Sequence, residues 1–268
     1  MATKKRGRRR FIKSVLAAVP ALVALSFIIV FWELFLVITG EEEYVLPPLS
    51  KILTVFVSEA REQFLPNAWV TLQEMLIGFG IGVSTGLILG ALIFHFKLIR
   101  QALLPLVISS QAIPVIAIAP ILIIWFGFGA TPKIIVVALI TFFPVAVNTI
   151  AGFESVERDA VNLMNSFGAS GWQIFTKVRL PAALPYIFAG VRNAAAISAI
   201  GAIVGEWVGA HEGLGPVIIA ANSGFNTDVV FAAIFYLAIM AVGMFLIVGL
   251  IARLAMPWYY LSRSKPRV

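Results

Sequence analysis

The stretch from Glu157 to Pro185, ERDAVNLMNSFGASGWQIFTKVRLPAALP, is the longest polar interval between two strongly apolar runs. Gly168 splits it into two short helical patterns. Before the glycine, Ala160, Leu163, Met164 and Phe167 recur at three- and four-residue spacing, which sets them on one helix face. After it, Trp172, Phe175 and Val178 repeat that spacing, and Pro181 and Pro185 are expected to end the pattern. An amphipathic helix pair lodged between membrane-length runs should dock onto something, and its partner decides the function.

The surrounding composition places the pair in a membrane protein. Only 12% of the 268 residues are charged and 60% are hydrophobic, with a mean hydropathy of +0.99; soluble domains carry about 25% charged residues. The expected class is all-α, a polytopic protein of about six transmembrane helices. The chain contains no cysteine, which excludes disulfides, thiolate catalysis and Cys-type zinc sites.

Outward from the opening stretch, the predicted spans are Val15–Ile38, Trp69–Phe94, Leu103–Phe126, Ile134–Gly152, Tyr186–Val208 and Val229–Leu254. The first follows a basic arm at 1–13 and has no small-residue cleavage site after it, so the reading is an uncleaved membrane helix over 14–38. Residues 39–68 form a segment on the far side. It carries Glu41, Glu42 and Glu43, then a short amphipathic helix expected to start at Ser50 as N-cap, with Ile52, Val55, Phe56 and Ala60 on one face. A core at 69–260 holds the loop at 153–185, and a basic tail covers 261–268. The third span is interrupted by Pro105, Pro114 and Pro120 and the fourth by Pro144, which predicts kinked helices around a cavity. Pro216–Ala221 reads as a short re-entrant or interfacial segment.

Charge gives the orientation. Of the 20 Lys and Arg, all but Lys51, Arg61 and Lys133 fall on the side of the N-terminal arm, and such an excess marks the cytoplasm. Both termini and the opening stretch are therefore expected to be cytoplasmic. The net charge of +7 reads as membrane orientation, with no nucleic-acid partner.

Several motifs have bland readings. Gly78, Gly82, Gly86 and Gly90 lie four apart, the small-residue pattern that lets membrane helices approach closely, and are read as helix packing. Gly82-Val-Ser84-Thr-Gly86 matches a G-x-S-x-G nucleophile pattern, but it lies mid-span with no strand before it and only His95 and His211 in the chain. The same glycines suggest a dinucleotide loop only loosely, again for want of a strand. No phosphate-binding G-x-x-x-x-G-K-[ST] loop or HExxH motif occurs, so no catalytic residue, metal site or cofactor is assigned to this chain. Carboxylates within spans are functional candidates by default. Glu33 and Glu74 lie near span ends and are read as snorkelling, while Glu206 is read either as a structural hydrogen-bond acceptor or as part of the substrate path. Gln111, Asn148, Asn193 and Ser198 are uncharged polar residues within spans that could line a path or bond between helices. Arg192 is the one plausible intramembrane cation, which argues against a mid-membrane anion site.

Gly168, nine residues, Val178, one residue, then Leu180-Pro181 matches the G-x9-I-x-LP part of the EAA loop, and the chain resembles the permease subunits of type I ABC importers. The E-A-A positions are occupied by Asn162-Leu163-Met164, a departure from the pattern. Leu46-Pro47-Pro48, Trp125-Phe-Gly-Phe-Gly129, Gly205-Glu-Trp-Val-Gly-Ala210 and Gly213-Leu-Gly215 resemble the nitrate/sulfonate/taurine branch, closest to permeases for thiamine-pyrimidine precursors or riboflavin. The resemblance covers residues 45–260. It implies a bacterial cytoplasmic (inner) membrane protein working with a second permease copy, two ATP-binding subunits that hold ATP and Mg, and an extracytoplasmic solute-binding protein. It implies that Leu163, Met164, Phe167, Gly168, Ala169, Trp172, Val178, Leu180 and Pro181 couple to the ATPase. The implied substrate is a pyrimidine precursor, riboflavin or a similar heterocycle, otherwise an anion of the nitrate, sulfonate, taurine or bicarbonate type. Two other readings stand beside it: the helix pair lying on the membrane surface, and a secondary transporter or channel with no ATPase, for which no inverted repeat is visible.

Overall fold

The structure, a computed structural model, describes residues 45–263 together with 19–20, 23–24, 26–36 and 38–40 of the first apolar run. The arm at 1–13 and the last five residues lie outside the described residues. Everything regular among the described residues is helical. The elements are α1 (Ser26–Leu36), α2 (Leu49–Ser58), α3 (Leu65–His95), α4 (Lys97–Ser110), α5 (Val115–Phe126), α6 (Ala130–Glu154), α7 (Arg158–Ser166), α8 (Gly171–Ile174), α9 (Leu180–Trp207), α10 (Leu214–Ser223), α11 (Thr227–Ala255) and α12 (Pro257–Arg263).

Among the described residues, four helices are long and apolar enough to cross a membrane: Ala60–His95, Ala130–Glu154, Gly171–Trp207 and Thr227–Ala255. The predicted third span is instead two helices, α4 and α5, bent by 103° at a break. The helix tightens into i→i+3 turns over Gln111–Ile113 and ends there, because Pro114 has no N–H to donate and disfavours helical backbone in the residue before it. Counted as one broken span, the pair brings the total to five among the described residues.

α6 is the centre of the bundle, flanked by α3 and α9. Gly78, Gly82, Gly86 and Gly90 are all buried on the α3 face that meets α6. A Cβ at Gly78 would lie 2.7 Å from the Ile134 carbonyl oxygen, and one at Gly90 would lie 2.8 Å from the Thr149 Cβ. On the other side, a Cβ at Gly190 would lie 2.7 Å from the Pro144 carbonyl oxygen and one at Gly205 2.9 Å from the Lys133 Cα. Both neighbours of α6 approach it backbone to backbone, which a lipid solvent favours because dispersion is what drives helix association there. The central apolar cluster, including Met75, Val137, Val145, Ala194 and Ala195, fills the remaining space.

Two further expectations are corrected. Pro181 and Pro185 do not end a helix: α8, a π turn at Phe175–Arg179 and α9 form one continuous helix of 37 residues. A second π turn, Ala60–Phe64, likewise runs straight into Leu65-Pro66, just as the first runs into Leu180-Pro181. The proline ring crowds the carbonyl four residues earlier, and a widened turn is where a helix absorbs such an irregularity. The second span accordingly starts well before Trp69. Helix α2 is capped by Pro48 rather than Ser50, with no side-chain cap of its own. Its first N–H, that of Leu49, donates to Glu33 Oε1 at 2.9 Å, so Glu33 has a specific partner and does not snorkel. Trp32 Nε1 donates to the Pro47 carbonyl oxygen at 3.2 Å, tying the Leu46-Pro47-Pro48 segment to α1.

At the same end, Tyr236 of α11 stacks between Phe56 and Phe64, at 4.4 and 5.0 Å, and donates to the Phe56 carbonyl oxygen at 3.1 Å. The outer face of α11, with Ile239, Val242, Leu246 and Leu250, is left exposed; an apolar face of this kind suits lipid.

Candidate functional site

The 37-residue helix that begins at Gly171 is about 55 Å long at 1.5 Å per residue. Three groups of side chains are arranged along it.

Before its α8 end the chain turns out of α7 at Gly168, whose φ of +72° is the left-handed conformation that glycine adopts without cost. Ser170 and Gln173 then form a reciprocal capping box. The sequence-assigned coupling residues divide here. Leu163, Phe167 and Trp172 are exposed, at 58%, 79% and 73%, whereas Met164, Ala169, Val178, Leu180 and Pro181 are half-buried against their own chain. Exposed Trp172 stacks on Phe175 at 5.8 Å, Phe175 meets buried Phe153 of α6 at 5.6 Å, and Phe153 stacks on Phe94 of α3 at 5.1 Å. The Arg179 guanidinium lies over the Phe94 ring at 5.0 Å. A groove of about 720 Å³ opens beside this ladder, bounded by Leu92, His95, Val161 and Asn165. An ion pair between Arg100 and Glu154 ties the start of α4 to the end of α6 at the same level.

Midway along the helix lies a cavity of about 430 Å³. Gln111, Asn148 and Asn193, far apart in sequence, all line it. Gln111 sits not within a span but at the α4–α5 break. Asn148 donates through Nδ2 to the Pro144 carbonyl oxygen at 2.7 Å. Ser198 is not part of this group: it is fully buried, donates to the Ala195 carbonyl oxygen at 2.8 Å and faces Met244 Sδ of α11 at 3.6 Å. Arg192 also turns away, its guanidinium 4.1 Å from the Phe245 ring centroid on α11.

At the far end of the helix, Glu206 is 1% exposed and enclosed by backbone and hydroxyl donors. Thr71 Oγ1 donates to Glu206 Oε1 at 2.6 Å, and the Gly215 N–H donates to Oε2 at 2.5 Å. The Leu214 N–H donates to Thr71 Oγ1 at 2.9 Å, and the Gly213 N–H to Asn67 Oδ1 at 2.9 Å. The N–H groups of the N-cap Gly213 and of the first two residues of α10 are thus all taken by side chains of α3 and α9, where a carboxylate is also favoured by the helix dipole. Gly213 has φ +115°, and any Cβ there would overlap the Glu206 carboxylate. Beside this cage, Lys133 of α6 pairs with Glu74 of α3 at 2.7 Å. Glu74 is buried and does not snorkel. The packing of α3 on α6 leaves its carboxylate no route to water, and Lys133 compensates the charge.

The aromatic ladder, Asn67, Thr71 and Lys133 were missed from sequence, and Glu74 was singled out there without its partner. One signal was present: Asn67, Thr71 and Glu74, at steps of four and three residues, continue the face of the glycine stripe toward the start of α3. Lys133 gave none, being 59 residues from its partner.

Residues 82–257 match the family described as binding-protein-dependent transport system inner membrane component. The chain is 37% identical over 243 residues to the riboflavin transport system permease protein of Chloroflexus aurantiacus, covering 89% of this chain and 91% of that protein. It is 35% identical over 246 residues to the formylaminopyrimidine transport permease protein of Halalkalibacterium halodurans, covering 92% and 98%. A putative aliphatic sulfonates transport permease of Bacillus subtilis is 31% identical over 238 residues, covering 88% and 84%. Among solved structures, an inward-facing form of the MetNI methionine ABC transporter superposes with a TM-score of 0.63 at 20% identity, covering 73% of this chain and 97% of that one.

Proposed function

The chain belongs to the family of binding-protein-dependent transport system inner membrane components, and on that premise we propose that it is the pathway-forming subunit of an ATP-driven importer. It is a multi-pass inner-membrane permease. In this reading α7 and α8 lie in the cytoplasm, with six spans and both termini on that side, as the distribution of Lys and Arg indicates. Two ATP-binding subunits dock against α7 and α8 and hold the ATP and Mg, so this chain binds no cofactor of its own. A second copy of the chain completes the pathway, and an extracytoplasmic binding protein delivers the solute to the α2–α10 side. The two most similar relatives reported above are named for riboflavin and formylaminopyrimidine, which supports a heterocyclic solute over a sulfonate-type anion.

The observation that carries this reading is the unbroken helix Gly171–Trp207. Its exposed end bears Trp172, its middle borders the cavity, and its far end holds Glu206. A displacement imposed on Trp172 by a moving ATPase groove passes along a rigid element and, through the Phe175–Phe153–Phe94 ladder, into α6 and α3. That is a rigid-body route to alternating access.

The test is co-purification with the ATP-binding subunits. Gly168→Val forces a β-branched residue into a left-handed conformation at a site with no steric neighbour. The variant should insert into the membrane normally but lose the ATPase. Normal assembly would remove the assigned role of the turn. Uptake driven by an ion gradient with no ATPase bound would overturn the importer reading itself.

A further inference from the structure

The central cavity has three properties that together say what it can hold. The first is where it lies. Its walls include Phe143 and Asn148, near the middle of α6, and Asn193, near the middle of α9. The α4–α5 break at Gln111–Pro114 reaches the same level. Non-helical backbone at membrane depth is tolerated only when protein covers it or it lines a wet cavity.

The second is its chemistry. Gln111, Asn148 and Asn193 are carboxamides, each carrying both a donor and an acceptor. The side chains of Gln111 and Asn193 make no hydrogen bond to any described residue, and Asn148 commits only one N–H. Val115, at the cavity wall, is the first residue of α5, and its N-cap Pro114 offers no side chain to the first N–H groups of that helix, of which only that of Ala117 is taken, by the Pro114 carbonyl oxygen at 2.9 Å. None of the lining residues is charged. The nearby cation, Arg192, faces α11 instead.

The third is the room it offers: about 430 Å³ on this chain, open on one side, where small-molecule sites occupy roughly 300–1,000 Å³. Phe143 supplies one aromatic surface.

Resting on the permease reading, we propose that this cavity is a transit site for an uncharged planar heterocycle whose alternating donors and acceptors meet Gln111, Asn148 and Asn193. A ring carbonyl or ring nitrogen accepts from the carboxamides and from the start of α5, and a ring N–H donates to the carboxamide oxygens. A sulfonate or carboxylate finds no counter-charge here, and desolvating it in the span is unfavourable. The site selects by hydrogen-bond pattern, downstream of whatever selection the binding protein makes.

The experiment uses the assembled transporter with its ATPase and binding protein in proteoliposomes, with riboflavin, a formylaminopyrimidine and taurine as probes. ATP-dependent accumulation of at least one heterocycle and none of taurine is expected. Asn148→Leu and Asn193→Leu, each leaving an unpaired partner atom on the solute, should each slow that uptake about tenfold or more while the ATPase stays bound. Ser198→Ala, away from the cavity, should transport at the wild-type rate. Accumulation of taurine, accumulation of no heterocycle, or unchanged uptake in the two leucine variants overturns the proposal. ATP-driven taurine uptake with the ATPase retained would do so while leaving the permease reading intact. Absence of a bound ATPase in the wild type would strike at that reading instead.

Discussion

Lys133 Nζ and Glu74 Oε1 meet at 2.7 Å with both side chains almost wholly buried, 9% and 3% exposed. Gly205 packs against the Lys133 backbone, which sets the buried carboxylate of Glu206 beside the pair. Removing one partner from a buried pair costs about 3–5 kcal/mol because the other charge is left uncompensated. The arrangement makes the two partners unequal. Lys133→Met strands both carboxylates, whereas Glu74→Gln leaves the ammonium beside Glu206. Thermal unfolding of the purified protein should rank Lys133→Met as clearly the less stable, with the double variant recovering part of the loss.

The glycine face of α3 makes a second prediction by contrast within one helix. A Cβ at Gly82 would overlap Thr141 Oγ1 and lie 2.6 Å from the Ala138 carbonyl oxygen, while one at Gly80 would meet nothing within 4 Å. Gly82→Ala must push α6 away and should cost about 1–3 kcal/mol, as overpacking does. Gly80→Ala should be neutral or stabilising by up to about 1 kcal/mol through helix propensity. Matched melting curves of the two variants check this, and equal destabilisation would show that the α3–α6 contact is not what the glycines serve.

The all-helical class and the membrane setting were legible because both follow from local composition and periodicity. The glycine face of α3 was legible for the same reason, as was the division of two helices at Gly168. What sequence could not show were relationships across the bundle. Lys133 and Glu74 are brought together by α6 packing on α3, and Gln111 joins Asn148 and Asn193 only because α4 and α5 bend sharply between them. The prolines misled in two directions. Pro181 follows a π turn that accommodates it, so the helix continues, whereas Pro114 follows three non-helical residues and marks a true break.

Glu206 holds the start of α10 through the Gly215 N–H, and Thr71 through the Leu214 N–H. Glu206→Ala therefore leaves buried donors unpaired, at about 1–3 kcal/mol each, and should loosen α10 before anything else. Deuterium exchange is expected to rise across Leu214–Ser223 in Glu206→Ala and, to a smaller degree, in Thr71→Val. It should stay at the wild-type level in α9. Uniform protection of α10 in both variants would mean that its apolar contacts, with Leu214 and Val217 in the α2–α11 cluster, are sufficient alone.

Along the aromatic ladder, exposure separates two roles. Phe153 is 4% exposed and touches both Phe94 and Phe175; Phe153→Ala should lower stability by about 3–5 kcal/mol. Trp172 is 73% exposed, so Trp172→Ala should change stability by no more than about 0.5 kcal/mol yet reduce retention of the ATP-binding subunits. A pull-down set against melting temperature for the two variants distinguishes docking from packing.

The last prediction concerns the second copy. Ala182, Tyr186, Ala189, Asn193, Ala196 and Ile200 are all exposed and follow one another at four- and three-residue steps, so they form a single uncovered face of α9. Lipid suits neither the unpaired Asn193 carboxamide nor the open cavity beside it, whereas a twofold copy would bring the same face opposite across a shared path. A twofold axis along the membrane normal makes the two α9 helices parallel, so each residue faces its own counterpart. The chain has no cysteine, which allows single-cysteine variants without further change. Ala189→Cys and Ala196→Cys should each give a covalent dimer with a bismaleimide long enough to span the path. Ile239→Cys and Leu250→Cys, on the exposed apolar face of α11, should remain monomeric. Dimers through α11 and none through α9 would move the pathway to the other side of the bundle.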